Sequence, residues 1–413
     1  MKSSPINALQ VECVDPPFPL RRQYLCDRFV SKSLQLPSHP LWSRLTQLSQ
    51  ICPSNSPISS VLNSFLRLAK LPHPLTSFPT NPLYSIPFKA LVYIPPISTD
   101  LGLIKGALDC NSKLQEFIHQ NWPNHLIIFT DASKLSPDGN VGAACWVPRF
   151  KIVLQFKCPP QSSIFTGEAV ALYEAILFSL SHNLKQTVIF TDSLSCLLAI
   201  KDNPFRSKSK FFHILKIREA LFSCYQKGFD ILLVWIPSHS GIKGNETADT
   251  CAKLAIQTGT LEHFSNSSQD LCCLAKTHLD KSWNEQWELS KSCKGKFYAS
   301  FQPEIPRRPW FFTQKSTDRW VITTICRLRL GHACTPVHLA KIRVRDHSLC
   351  ECGLDEGSAS HILFNCNKLL HPLYDVLPCK VPRPLSVKCL LMFVFSPLCT
   401  FLCKYVKINN IKL

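Results

Sequence analysis

The chain has 413 residues, too many for one ordinary domain, so two or three globular parts are expected. Hydrophobic residues make up 45% of it, which excludes a wholly disordered chain and supports a real core. Lysine and arginine number 46 against 28 aspartate and glutamate, a formal charge of +18, and that surplus suits a polyanionic partner, nucleic acid ahead of an anionic membrane surface.

The 21 cysteines are odd in number and follow no framework spacing. Met1-Lys2-Ser3-Ser4-Pro5 leads into no continuous apolar core, so no secretory signal is read there. Reduced thiols inside the cell, in nucleus or cytoplasm, are the expected state. The longest apolar stretch, Cys389 to Cys403, contains Pro397 and falls short of the ~20 residues a membrane span needs. It is expected to form a buried helix and strand, with no membrane span anywhere.

Residues 1–120 read as a proline-rich connector. Arg21 to Val30 has the pattern of one basic amphipathic helix, after which Pro72, Pro74, Pro79, Pro82 and Pro87 argue for extended, loop-like chain. No catalytic constellation occurs there, and the chain lacks the Asp-Asp pair of a polymerase palm.

The pattern sharpens over residues 121–262. Leu126–Asp131 is a short apolar run ending in Thr-Asp-Ala-Ser, a buried strand that delivers a carboxylate to the sheet rim. Ser136-Pro-Asp-Gly-Asn140 is a turn, and Gly142–Val147 and Ile152–Phe156 complete an antiparallel meander. Ile164 to Leu180 places Ala169, Leu172, Ala175, Ile176 and Leu180 on one helical face. Val188–Thr191 is a fourth strand and again ends in Thr-Asp-small, at Asp192. Ser193–Ile200 and the basic Phe211–Tyr225 are helices, Ile231–Ile236 is a fifth strand, and Glu246–Ile256 is a closing helix. The order βββαβααβα predicts an α/β domain, a five-stranded mixed sheet with helices on both faces.

Four carboxylates fall at the ends of these elements: Asp131 and Asp192 after strands, Glu168 near the start of the first helix, and Asp249 near the start of the last. Buried like charges repel unless a cation holds them. Two divalent ions about 4 Å apart would neutralise such a cluster and clamp the attacking and leaving oxygens of a phosphodiester. Hard carboxylate oxygens favour Mg²⁺, with Mn²⁺ as a substitute.

These motifs resemble those of type 1 ribonuclease H. The stretch Trp235-Ile-Pro-Ser-His239-Ser-Gly-Ile-Lys-Gly-Asn-Glu246-Thr-Ala-Asp249 is similar to the family's closing loop and helix. The wording of Thr-Asp-Ala-Ser, Thr-Gly-Glu-Ala and Ile-Pro-Ser-His-Ser-Gly is most similar to the ribonuclease H domain of non-LTR retrotransposon polyproteins. The resemblance implies a ribonuclease H-like fold and endonucleolytic cleavage of the RNA strand of RNA–DNA hybrids, leaving 5′-phosphate ends. It also implies roles: Asp131 bridging both ions, Asp249 completing the ion on the nucleophile side, and Glu168 with Asp192 the ion on the leaving-group side. Glu168 would also lie near the RNA 2′-hydroxyl, and His239 would assist proton transfer and product release. Ala132 stands where many members have glycine. The segment Asn203–Lys210 is too short for the separate basic helix that some members use to grip the hybrid, leaving Lys208, Lys210, Lys216 and Arg218 as substitutes. Glu174, past Glu168 on the same helix, is expected to point away from the ions.

Residues 263–347 read as a basic helical region. Trp283, Trp287, Trp310 and Trp320 are interleaved with Arg307, Arg308, Arg319, Arg327 and Arg329, either as bases' stacking partners or as a small core with a solvated basic face. In residues 348–370, Cys350, Cys352, His361 and Cys366 have the donor set of a tetrahedral Zn²⁺ site, and Gly353 suits a knuckle turn, although Cys-x-Cys is tighter than usual. This resembles the Cys/His segment that follows ribonuclease H in such polyproteins. Residues 371–413 are an apolar tail. Residues 1–120 resemble the stretch joining reverse transcriptase to ribonuclease H, so the chain is expected to be a polyprotein fragment lacking the polymerase, with a reverse transcriptase of the same element as partner. The alternative is a catalytically inactive nucleic-acid-binding relic.

Overall fold

The computed structural model describes residues 5–413 except 37–38, 52–57, 72–74, 76–82, 84, 206–210, 261–264 and 382. Pro72, Pro74, Pro79, Pro82, Lys208 and Lys210 lie outside the described residues. The chain forms two compact units, Arg22–Thr277 and a discontinuous one of Met1–Arg21 with His278–Leu413.

Helices occupy much of the segment expected to be a connector: α1 (Ile6–Cys13), α2 (Phe18–Ser33), α3 (Leu41–Ile51), α4 (Ser59–Ala69), α5 (Phe88–Val92) and α6 (Cys110–Asn121). Pro5, Pro17, Pro40 and Pro87 each stand directly before one of them, where a missing N–H costs nothing and a fixed φ suits the first turn. Of the five prolines expected to break helices only Pro87 is described, and it stands directly before α5.

The larger unit is built on a six-stranded mixed sheet: β1 (Ile97–Ser98), β2 (Leu126–Ser133), β3 (Val141–Val147), β4 (Ile152–Cys158), β5 (Gln186–Thr191) and β6 (Asp230–Trp235), in the order β1-β6-β5-β2-β3-β4. The meander β2-β3-β4 is antiparallel, and β2, β5, β6 and β1 run parallel. Five strands were expected. The sixth, β1, is two residues long and follows Pro95-Pro96, too short to show a period of two.

Helices cover both faces. On one, α7 (Ile164–Ser181), α8 (Leu194–Lys201) and α9 (Phe212–Gln226) bury Leu172, Ile176, Leu197 and Ile217 against Ile128 and Ile189. On the other, α6 and α10 (Lys243–Thr258) pack Leu114 and Ala248 in a cluster with Phe129, Phe190 and Val234. Successive strand residues thus point into opposite cores, which explains why these strands read as continuous apolar runs. By length and composition α7 is apolar enough to cross a membrane, but most of it is buried here, as the central helix of a layered domain would be. Gly244 brings the start of α10 onto Phe129, where a Cβ would lie 2.2 Å from the ring.

In the smaller unit, α1 joins α12 (Lys296–Ala299), α13 (Arg319–Arg329), α14 (Pro336–Lys341), α15 (Leu373–Val376), α16 (Val387–Met392) and α17 (Cys399–Ile408). Trp283, Trp287 and Trp310 are 4%, 2% and 5% exposed, so they are core residues and not platforms for bases. Cys389 to Cys403 forms helix and a short 3₁₀ turn, Phe393–Phe395, with no strand; Leu402, Tyr405 and Val406 bury one face of α17 at helical spacing. A fully buried ion pair sits at the centre. Glu12 of α1 accepts from Arg329 Nε at 2.8 and 3.1 Å, Tyr298 Oη at 2.8 Å and Trp310 Nε1 at 2.8 Å.

Candidate active site

The register of β2 on β5 places Thr130 opposite Thr191, so the next residues, Asp131 and Asp192, leave neighbouring strands at the same level. The two threonines are strand residues: Thr130 Oγ1 donates to the Phe190 carbonyl at 3.2 Å, and Thr191 Oγ1 accepts from Ser193 N at 3.2 Å. The repeated Thr-Asp-small is therefore one structural device used twice.

Glu168 comes from the first turns of α7, whose N-cap Ser163 accepts from Thr166 N at 3.2 Å. A Cβ on Gly167 would lie 2.8 Å from the Ala132 side chain and 2.6 Å from Val141, so glycine is what lets the helix approach β2 closely with alanine at 132. Ligand oxygens of Asp131, Glu168 and Asp192 lie within 4.8 Å of one another. The Ala132 amide donates to Asp131 Oδ1 at 2.7 Å and to Glu168 Oε1 at 3.3 Å. Glu168 Oε2 is buried without a hydrogen-bond partner. Burial, then the charge of Asp192, pushes the Asp131 carboxyl up to about 7. Burial and then Asp131 raise Glu168 well above the carboxylate range, and burial raises Asp192, opposed by a bond from Asn245. Three hard oxygen donors, crowded, desolvated and one of them orphaned, fit a divalent cation.

Asp249 was expected in the same cluster and is not part of that close group. Its carboxylate takes Lys253 Nζ at 2.6 Å, a pairing one helical turn apart on α10, though its charge still contributes to the rise at Asp131. His239 is exposed in the loop before α10 with φ of 50°, close enough for its charge to lower Asp192. Glu174 is not among the three carboxylates that come together.

Some neighbours were not read from the sequence. Asn245 Nδ2 reaches Asp192 Oδ2 at 3.4 Å, and Lys105 Nζ and Gly106 N donate to Ser238 and Ser240 on either side of His239. Lys253 was legible as a base four residues after Asp249; the 105–106 contact spans more than 130 residues and leaves no local signal. Of the basic residues expected to grip a hybrid, Lys216 pairs with Glu219 at 2.9 Å. Arg218 is buried and donates to the carbonyls of Ile200, Leu91 and Tyr93, so it is a structural brace and cannot meet a substrate.

The second expected site also assembles, in the smaller unit. Ligand atoms of Cys350, Cys352, His361 and Cys366 lie within 4.8 Å of one another. Cys352 Sγ is 3.1 Å from His361 Nε2, and Cys350 Sγ 3.8 Å from Cys366 Sγ. Gly353, at φ of 76°, makes the turn after the tight Cys-x-Cys. The Leu354 amide, and then His361, pull the Cys352 thiol down to about 6, toward the thiolate a metal needs, while burial raises Cys366. His361 Nδ1 faces Asp355 at 3.6 Å, the outer carboxylate common behind a ligating histidine. This donor set fits Zn²⁺.

A family model described as RNase H matches residues 123–257, which takes in β2 to α10 and all four carboxylates with His239. The match supports an RNase H domain in this segment and, at family level, a hydrolase acting on RNA–DNA hybrids and binding nucleic acid. No curated protein matches the chain.

Proposed function

We propose that residues 123–257 are a Mg²⁺-dependent endonuclease that hydrolyses the RNA strand of RNA–DNA hybrids. The observation that carries this reading is the convergence of Asp131, Glu168 and Asp192, with a buried, unpartnered Glu168 oxygen, inside the matched segment. Asp131, Glu168 and Asp192 would hold the ions, and Asp249 would join them by exchanging Lys253 for metal. When bound, a pair of divalent ions neutralises the carboxylates and stabilises charge on the attacking and leaving oxygens of an in-line displacement. Asn245 holds Asp192 in place, and the Ala132 amide holds Asp131 and Glu168 together. Glu168 is the group to accept a bond from the RNA 2′-hydroxyl. His239, exposed at the rim, moves protons between the site and bulk water. The motif wording supports an origin in a non-LTR retrotransposon polyprotein, with a reverse transcriptase as partner.

The test is a labelled hybrid in Mg²⁺, with Asp192→Asn and Glu174→Gln in parallel. Cleavage of RNA alone is expected, lost in Asp192→Asn and retained in Glu174→Gln. Salt-sensitive binding without cleavage would establish the second reading, an inactive nucleic-acid-binding relic, which the Lys253–Asp249 pair favours.

We further propose one Zn²⁺ at Cys350, Cys352, His361 and Cys366. Metal analysis of the purified full chain is expected to give one zinc per chain, falling to near zero in Cys352→Ser. A wild-type value far below one, unchanged by the substitution, would sink this assignment.

A further inference from the structure

Asp270 stands outside residues 123–257, in the first turn of α11 (Ser268–Lys291), and is 1% exposed. Its carboxylate lies between the N-terminal turns of two helices. From the start of α7 it receives Ser163 N at 3.1 Å and the Thr166 hydroxyl, whose oxygen is 2.9 and 2.7 Å from its two oxygens. From its own helix it receives Ser267 Oγ at 2.9 Å, while its amide donates back to Ser267 Oγ at 3.1 Å, the reciprocal pattern of a helix cap. Burial raises the Asp270 carboxyl, opposed by the bonds from Ser163, Thr166 and Ser267, and the dipoles of both helices favour its charged form. Lys134, three residues past Asp131, ties down the residues just before α7 by donating to the carbonyls of Pro160 and Ser162 at 2.8 and 2.9 Å.

Thr166 is two residues before Glu168, and between them Gly167 presses on Ala132, whose amide serves both Asp131 and Glu168. The first turn of α7 therefore has little freedom to shift without moving Glu168 off Asp131. We propose that Asp270 is a positioning residue for Glu168: it clamps the first turn of α7 and so presets the carboxylate cluster for divalent metal. This inference rests on the metal reading of that cluster. It also explains why a buried carboxylate is supplied from beyond the matched segment, at a place where an apolar residue would leave Ser163 N without its partner and Thr166 Oγ1 with Ser163 Oγ at 3.2 Å instead of the carboxylate.

The experiment uses the full chain titrated with Mn²⁺ alone, followed by electron paramagnetic resonance of the free ion, with Asp131→Asn identifying the ions held by the carboxylates. Amide hydrogen exchange across residues 163–170 is measured on the same metal-free proteins. Asp270→Ala is expected to speed exchange there roughly fivefold to tenfold and to weaken Mn²⁺ binding about tenfold. Asp270→Asn keeps one acceptor and gains a donor the hydroxyls can receive, so it is expected to stay within about threefold of wild type in both. Unchanged exchange in Asp270→Ala overturns the clamp, and faster exchange with unchanged Mn²⁺ affinity overturns its role in placing Glu168. If Asp270→Ala does not fold, Thr166→Val removes only the hydroxyl and is held to the same direction in both readouts. Should wild type and Asp131→Asn bind Mn²⁺ alike, the metal reading fails, while exchange still judges the clamp.

Discussion

Asp131→Asn is expected to abolish hybrid cleavage, by on the order of 10³-fold or about 4 kcal/mol of barrier, and at the same time to raise the thermal stability of the metal-free protein. Both effects come from one cause. The site crowds carboxylates in a desolvated pocket, so Asp131 titrates near 7 and Glu168 well above its usual range. A carboxyl whose pKa is raised on folding binds its proton more tightly in the folded state than in the unfolded one. Its contribution is then intact below the ordinary carboxylate range and is lost as pH climbs through about 7. Asparagine carries no such charge, keeps an oxygen for the Ala132 amide and offers an N–H to a neighbouring carboxylate. Roughly 2 kcal/mol of stabilisation at pH 8, several degrees in Tm, is the expected gain. Thermal melts of metal-free protein from pH 5 to pH 8 should show wild type losing stability and Asp131→Asn losing less. Mg²⁺ should restore wild type most strongly at the alkaline end. A wild-type Tm that rises over that range, or a variant that melts lower, would show that the cluster is not strained in this way.

Glu12→Ala is expected to destabilise the smaller unit by about 3–5 kcal/mol, because it strands a fully buried guanidinium. Arg329 is 0% exposed; Glu12 neutralises it, Leu391 O accepts from its Nη1 at 2.6 Å, and its guanidinium carbon lies 5.5, 5.0 and 5.1 Å from the ring centres of Tyr298, Phe301 and Phe395. Arg329→Met should cost a comparable amount by leaving Glu12 uncompensated. Replacing both with apolar residues of similar volume should recover much of either loss, since the desolvation of both charges is then avoided. Denaturant unfolding followed by tryptophan emission, with Trp283, Trp287 and Trp310 buried in this unit, measures all three. Additive losses in the double variant would show that the pair is not coupled.

The site was legible where its signal is local. Thr-Asp-small at two strand ends, Thr-Gly-Glu-Ala at a helix start and the His239 loop each occupy a few residues, and the structure brings Asp131, Glu168 and Asp192 together as that reading required. The Cys/His quartet was local in the same sense. What escaped was carried by distant or ambiguous signals. The proline-rich composition of residues 1–120 reads as a connector, yet Pro5, Pro17, Pro40 and Pro87 stand directly before helices. Strand β1 is too short to display alternation. Arg218 reads as a substrate-facing cation on a basic helix, and its commitment to the interior comes from the carbonyls of Ile200 and of Leu91 and Tyr93, the last two more than 120 residues earlier. Lys253 on Asp249 could have been anticipated from spacing alone.

The bonds that fix Glu12 come from three residues, 286, 298 and 317 positions further along the chain. At about 5–20 residues per second of synthesis, α1 leaves the ribosome roughly 15–60 s before Arg329 is made. Until Tyr298 is made the Glu12 carboxylate has none of its side-chain partners, whereas every residue of Arg22–Thr277 has by then been translated. The order of assembly is therefore set by connectivity: the unit holding the carboxylate cluster can fold once Thr277 has been made, and the unit holding the Cys/His quartet only after the residues beyond Arg329 have followed. Nascent chains stalled before residue 329 should leave α1 open to protease, and chains carrying all of His278–Leu413 outside the ribosome should protect it.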